Sequence, residues 1–371
     1  MGYVAVCGGE NAIRNSETLL QYYRRRGESD PIQVRQIVQQ MRLAVDRVMA
    51  EGSLYDPTLA ALAIKQTEGD LVEAAFLVRA YRSTLPRLQT TPLLRTSGMR
   101  LIRRISAAFK DVPGGQILGP TRDYTQRLLD FSLLDECGPA PEPPRTVLPG
   151  GAPEETERIS EYLRREGLLS EPSRDAPVSV DITRDPVSFP VPRSARLQHL
   201  ARGDEGGMLA LAYSSMRGFG NVHPTVAELR VGYLPVRVAV PGLPEPVVIG
   251  EVLVTEVELI ARDGGGDSDG SEPPQFGLGY GFALGHNERR AICMAILDRA
   301  MLAAQPSAPA EDQEFVLSHI EGIEAQGFTN HWKLPHYVDF QSELDQLRAR
   351  RAAGPGVQDE PLAAARAEVL V

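Results

Sequence analysis

His331 and His336 stand five positions apart in the segment Asn330-His331-Trp332-Lys333-Leu334-Pro335-His336-Tyr337-Val338-Asp339-Phe340. They are two of six histidines in the chain, and the segment holds its only tryptophan. Imidazole is the side chain best suited to hold a transition metal at neutral pH. A spacing of five does not place two residues on one face of a straight helix, where neighbours fall at three and four. Pro335 would break such a helix in any case. The segment therefore reads as a bent loop able to bring both rings to one point. A zinc site takes four donors, three of them usually from protein when it is catalytic. Asp339 and His319 are candidates within the chain, and a partner subunit or a substrate oxygen could equally complete the shell. The competing interpretation is two loop histidines bonded to backbone.

Three further groups of residues have types that could do chemistry. Arg100, Arg103 and Arg104, and separately Arg24-Arg25-Arg26, are basic clusters. Forked guanidinium donors match phosphate oxygens, although a solvated helix face or a subunit contact has the same pattern. Asp204 and Glu205 lie in Arg202-Gly203-Asp204-Glu205-Gly206-Gly207. A carboxylate there could act as a base or stabilise positive charge on a sugar ring, or the segment could be only a turn and cap. Gly277-Leu278-Gly279-Tyr280-Gly281 before a helix could cradle a phosphate. Leu284, however, occupies the position of the third glycine in a dinucleotide fingerprint. The alternative is a strand packed closely on another backbone. No Walker ending, Gly-x-Ser-x-Gly elbow, Cys-x-x-Cys pair or His-Glu-x-x-His motif occurs, so serine-hydrolase, redox and common zinc-protease readings lack support.

The elements that must position these residues divide by type. The N-terminal third reads as helical. Asp30-Pro31 and Asp56-Pro57 are start signals, an aspartate cap followed by proline in the first turn. Ile37, Met41, Val45, Val48 and Met49 follow the first at helical spacing, and Gly52 ends the run. The second helix stops near Gly69, and Asp70 caps a third that runs to Pro86. Met99, Ile102, Ile105 and Phe109 predict a fourth helix with the arginines on its other face. Residues 111–120 form a Gly/Pro-fixed loop, with a helix over about 123–131 after it.

In the second half, 194–215 reads as helix around the glycine interruption. Val231–Val240 and Val247–Ile260 read as strands of a long hairpin. A polar tip at 263–274 precedes a glycine-rich strand at 276–284. Helices are expected over 287–302, 311–325 and 342–352. The fold class is thus α+β: a mainly helical domain over 1–134, a Pro/Gly-rich linker or excursion over 135–192, a mixed domain with an antiparallel sheet and the histidine loop over 193–352, and a frayed tail over 353–371.

The chain has 371 residues, 42% of them apolar and 24% charged, which is ordinary for a globular protein with a large core. No apolar run approaches the roughly 18 residues of a membrane span, and no signal peptide is evident. Three widely spaced cysteines argue against a disulfide framework and for a reducing cytoplasm. A formal charge of −10 disfavours a dedicated nucleic-acid binder but leaves room for a local basic pocket.

Several segments together resemble one family. They include Tyr3-Val4-Ala5-Val6 leading into Gly8-Gly9-Glu10, Leu43-Ala44-Val45-Asp46-Arg47-Val48-Met49, Gly98-Met99-Arg100-Leu101, Asp111-Val112-Pro113-Gly114-Gly115-Gln116, Arg202-Gly203-Asp204-Glu205-Gly206 and Lys333-Leu334-Pro335-His336-Tyr337-Val338-Asp339-Phe340. The chain resembles the PhnI subunit family of bacterial carbon–phosphorus lyase over nearly its whole length. Cys7 stands where relatives are expected to carry lysine.

The resemblance implies a cytoplasmic core complex with the G, H and J subunits, joined by the ATPase-like K and L subunits. It implies formation of ribose 1-methylphosphonate 5-triphosphate from MgATP and methylphosphonate, with release of adenine. Cleavage of purine nucleoside triphosphates is expected of the subunit alone. It also implies that His331 and His336 bind zinc near the boundary with the J subunit. Such chemistry passes through an oxocarbenium-like state that anionic groups stabilise, with inversion at the anomeric carbon. Arg100, Arg103 and Arg104 are the candidate triphosphate ligands, and Asp204 and Glu205 the candidate catalytic carboxylates. The competing function is a scaffold that donates two zinc ligands at an interface.

Overall fold

A computed structural model describes residues 9–135, 138, 142, 157–170, 180–219, 223–262, 275–303 and 305–354. Cys7 and the lead-in before it, about half of the expected linker, the 263–274 tip and the tail from 355 lie outside the described residues. Contacts group the chain into two compact units: residues 30–325, and residues 1–29 together with 326–371.

In the larger unit, four helices pack first: α2 (Val34–Gln40), α3 (Arg42–Gly52), α4 (Pro57–Gln66) and α5 (Leu71–Ser83). Two begin as their sequences require. The Asp56 carboxylate accepts from the Thr58 and Leu59 amides, with Pro57 in the first turn, and Asp70 accepts from Val72 and Glu73. Asp30 does not cap α2, which starts four residues later behind Gln33 and a reciprocal bond with Gln36. The expected single run to Gly52 is also broken, because Met41 leaves helical geometry (φ −113°, ψ 39°). Ile37, Val48, Met49, Ala60, Ala61, Ile64, Ala74 and Val78 form the core of this layer. Gly52 is required there: a Cβ would lie 2.4 Å from Val78 Cγ1.

A four-stranded antiparallel meander follows, in the order β1 (Arg100–Ile105), β2 (Thr225–Val238), β3 (Val247–Arg262), β4 (Phe276–Leu284). The helix expected over 99–109 is therefore the edge strand β1. Its apolar residues fit a three-residue spacing, but pairing with β2, more than 120 residues away, supplies the hydrogen bonds. The helix expected over 123–131 is absent as well. Tyr124, Leu128 and Leu129 are exposed there, so a helix would have no face to bury.

Strand alternation sorts the sheet into two faces. Leu229, Val231, Val257, Leu259 and Ala283 meet the helical layer of α7 (Arg193–Arg202), α8 (Glu205–Ser214), α9 (Glu288–Ala300) and α10 (Gln313–His319). Each fully buried leucine there contributes about 2 kcal/mol. The opposite face carries charge. Arg104 pairs with Glu228 at 2.5 Å, Arg230 pairs with Glu256, and Arg158 reaches Glu258 at 3.0 Å and Glu256 at 3.3 Å. Helix α6 (Ile159–Arg165) follows Arg158. Burial alone would raise the Glu256 carboxyl, but Arg230 and Arg158 hold it below its ordinary range.

The glycine-rich strand β4 is a close-packing device. A Cβ on Gly279 would stand 2.1 Å from Ala295 O, and one on Gly281 1.9 Å from Ala291 O. Helix α9 thus lies directly on β4, with eight of its thirteen residues buried.

The smaller unit holds α1 (Gly9–Arg25) and α12 (Tyr337–Ala353), and α11 (Gly322–His331) spans the unit boundary. The expected 311–325 helix is divided between α10 and α11.

Candidate functional site

A cleft of about 1090 Å³ opens in the larger unit. The start of α3 supplies Arg42, and the loop after β1 supplies Arg122, Asp123 and Arg127. Helix α8 supplies Glu205, Leu209 and Tyr213, and the π-helical turn that follows it supplies Met216 and Arg217. The turn before α9 supplies His286, and the first turns of α9 supply Glu288, Arg289, Ile292 and Cys293. Five arginines face three carboxylates here, in a chain of net charge −10. Arg122, Arg127 and Arg217 make no ion pair among the described residues. Such a wall favours a polyanion, and the apolar side chains of α8 and α9 give a flat ligand somewhere to lie.

Of the expected carboxylates, Glu205 lines this cleft and Asp204 does not. Glu205 is 6% exposed and bonded by Arg289. Asp204 is the N-cap of α8, accepting from the Gly207 amide at 2.6 Å and from Arg47 at 3.3 Å. The turn beneath them is gripped from four sides. Arg290 donates to Gly203 O, Arg79 donates to Arg202 O at 3.2 Å, and the Asp204 amide donates to Ile320 O at 2.7 Å. The Glu205 amide donates to the buried Glu51 carboxylate at 3.1 Å. Glu51 also takes bonds from Arg290 and from Arg47 Nε, the latter at 3.0 Å.

The three candidate triphosphate arginines do not converge. Arg100 is exposed, pairs with Glu251 at 2.6 Å and lies over Tyr233. Arg103 pairs with Val231 across the ladder and so faces the helical layer, where it holds Asp123 and reaches Glu288 at 2.7 Å. Arg104 opposes Arg230 on the other face and is consumed by Glu228 and two carbonyls. The basic wall of the cleft instead uses Arg42, Arg122, Arg127 and Arg217, which sequence reading missed. The charged start His286-Asn287-Glu288-Arg289-Arg290 on an otherwise buried helix was the available signal for the α9 part.

The hydrogen bonds fix the His286 tautomer. Arg42 donates to His286 Nδ1 at 2.9 Å, so that nitrogen bears the lone pair, and Nε2–H donates to Glu288 Oε1 at 2.7 Å. Burial raises Asp46, which accepts from the His286 amide at 3.0 Å. Burial pushes the Cys293 thiol up to about 11, which makes it a poor nucleophile.

In the smaller unit, His331 ends α11 and His336 stands at the N-cap position of α12 without a side-chain cap bond, with Trp332–Pro335 as the bend between them. The ring centroids stand 5.3 Å apart. His331 Nδ1 donates to Phe328 O, and His336 Nδ1 donates to Leu334 O at 2.6 Å. Backbone bonds at Nδ1 leave both Nε2 lone pairs as donors, the usual preparation of a metal-ligating histidine. Trp332 stacks on His336 with centroids 5.5 Å apart. The pair fits half of a zinc shell. No group of three His, Cys, Asp or Glu side chains suited to a metal occurs among the described residues, so Asp339, in the same unit, does not complete it; His319 lies in the larger unit.

No helix of the described residues is long and apolar enough to cross a membrane. A family model described as bacterial phosphonate metabolism protein (PhnI) matches residues 2–354. The chain is 52% identical over 361 residues to the putative C-P lyase subunit protein HtxH of Stutzerimonas stutzeri, covering 94% of this chain and 95% of that protein. It is 50% identical to the alpha-D-ribose 1-methylphosphonate 5-triphosphate synthase subunit PhnI of Escherichia coli (strain K12), covering 93% and 97%. It is 49% identical to the subunit of the same name in Rhizobium meliloti (strain 1021), covering 94% and 95%. The chain belongs to the PhnI family of bacterial phosphonate-metabolism proteins.

Proposed function

We propose that this chain transfers the ribose 5-triphosphate of MgATP to methylphosphonate with loss of adenine, in the cleft between α3, α8 and α9. The observation that carries the reading is the charge of that cleft: arginines without carboxylate partners around a buried glutamate, in an acidic chain. Its volume suits a nucleotide. Arg42, Arg122, Arg127 and Arg217 hold the triphosphate and its Mg2+-bound oxygens. Glu205 stabilises positive charge on the ribose as the glycosidic bond opens. The phosphonate oxygen attacks from the opposite side, and water in its place gives nucleosidase activity in the isolated subunit.

His331 and His336 hold Zn2+ at an edge where another polypeptide adds donors, and zinc there supplies a rigid joint or a Lewis acid. The partners on this reading are the G, H and J subunits and the ATPase-like K and L subunits, in the cytoplasm.

Purified chain, alone and with its partners, is given MgATP and adenine is measured. Loss of release in Glu205→Gln, with MgATP binding retained, supports the assignment; full activity in that variant removes it. Wild-type protein that releases no adenine in either state favours the second reading, a scaffold. The histidine pair supports that alternative, because it offers two ligands and no closed metal site.

A further inference from the structure

We infer that His286 delivers the proton that the departing purine needs, with Glu288 and Arg42 as its positioning residues. The inference rests on the nucleosyl-transfer reading of the cleft. Its independent support is the way this ring is held. His286 is 7% exposed at the cleft wall, and both ring nitrogens are engaged. Nε2–H points into the Glu288 carboxylate, which Arg103 backs at 2.7 Å. The backbone at His286 is tied to Asp46 and that at Asn287 to Thr255. A carboxylate on one nitrogen, with the other held only by the cleft-lining Arg42, becomes the arrangement of an acid–base imidazole once that arginine leaves.

The Nδ1 side is occupied by Arg42 alone, and Arg42 has no carboxylate partner among the described residues. A phosphate oxygen binds a guanidinium more strongly than a neutral imidazole does. Triphosphate binding therefore draws Arg42 away and exposes Nδ1. Nδ1 then takes a proton from solvent, and Glu288 stabilises the imidazolium from the other nitrogen. The other cleft carboxylates are already engaged, Asp123 by Arg103 and Glu205 by Arg289.

In the step itself the C1′–N bond breaks and its electron pair goes to the purine. A lone pair of the phosphonate oxygen forms the new C1′–O bond. The Nδ1 proton passes to a purine nitrogen, and the neutral imidazole regains a proton from solvent.

The test is a pair of leaving groups. His286→Asn is assayed in the full chain with its partner subunits, on ATP and on 7-methylguanosine 5′-triphosphate. The second purine already carries positive charge and departs without protonation. A positioned acid contributes about 10²–10⁴-fold. Adenine release should fall by about 100-fold or more, while 7-methylguanine release stays within about threefold of wild type. Equal loss on both substrates, or loss on neither, overturns the inference. Glu288→Gln should show the same selective loss in smaller degree, and uniform loss there also counts against it. Arg122→Ser with Arg127→Ser should weaken both substrates alike. Retention of both by that double variant brings down the nucleosyl-transfer reading itself, separately from the role of His286.

Discussion

Gly281→Ala isolates the contact on which the cleft depends. The added Cβ would sit 1.9 Å from Ala291 O, 2.8 Å from its carbonyl carbon and 3.1 Å from its Cα. These are backbone atoms of α9, so no side chain can rotate aside. Ordinary contact requires the helix to retreat by more than an ångström, opening a layer in which Ala291, Met294, Ala295 and Leu297 are at most 1% exposed. Overpacking a close-fitted core costs about 1–3 kcal/mol, and rigid atoms on both sides put this case at about 3 kcal/mol. Gly250→Ala in β3 is the control, because its Cβ meets nothing within 4 Å; it should change stability by less than about 1 kcal/mol. Urea unfolding followed by circular dichroism measures both. Because α9 carries Glu288 and Arg289, and His286 lies in the turn just before it, nucleotide binding by the folded fraction of Gly281→Ala should also weaken. Equal midpoints for the two variants would refute the claim that β4 uses glycine to seat α9.

Glu51→Ala leaves the buried Arg290 without its carboxylate and the Glu205 amide without an acceptor. Breaking such a buried set costs about 3–5 kcal/mol, and the thermal midpoint should fall well below that of Glu51→Gln, which keeps an acceptor oxygen. Burial, with Arg202 beside it, holds His199 below its ordinary pKa. The unfolded chain therefore binds that proton first, so stability is level above about pH 6.5 and declines as pH falls below it. In His199→Gln this part of the acid slope should flatten in denaturation curves collected from pH 7.5 to 5. Cys293, buried with its thiol raised to about 11, should resist iodoacetamide at pH 8 in the native protein and react after unfolding, as read by mass spectrometry of its peptide.

Local signals in the sequence carried a good part of the fold. Asp56-Pro57 and Asp70 cap their helices because capping needs only a carboxylate two or three residues from the amides it serves. The β-branched runs became β2 and β3, and the glycines of β4 packed on backbone rather than cradling a phosphate. The His331–His336 bend was legible because Pro335 and the five-residue spacing are local facts.

Tertiary structure alone decided the rest. Residues 100–105 satisfy a helical spacing, yet they form a strand because β2 arrives from far along the chain. Once they do, period-two alternation sends Arg103 and Arg104 to opposite faces, and no reading of their adjacency could foresee that each would meet a carboxylate from elsewhere. The cleft has the same origin. Arg42, Arg127, the continuous stretch that holds Glu205 and Arg217, and His286 lie on four separate segments, and only folding brings them to one wall. Short-range geometry is written in neighbouring residues, whereas a charged cavity is set by contacts between segments far apart in the chain.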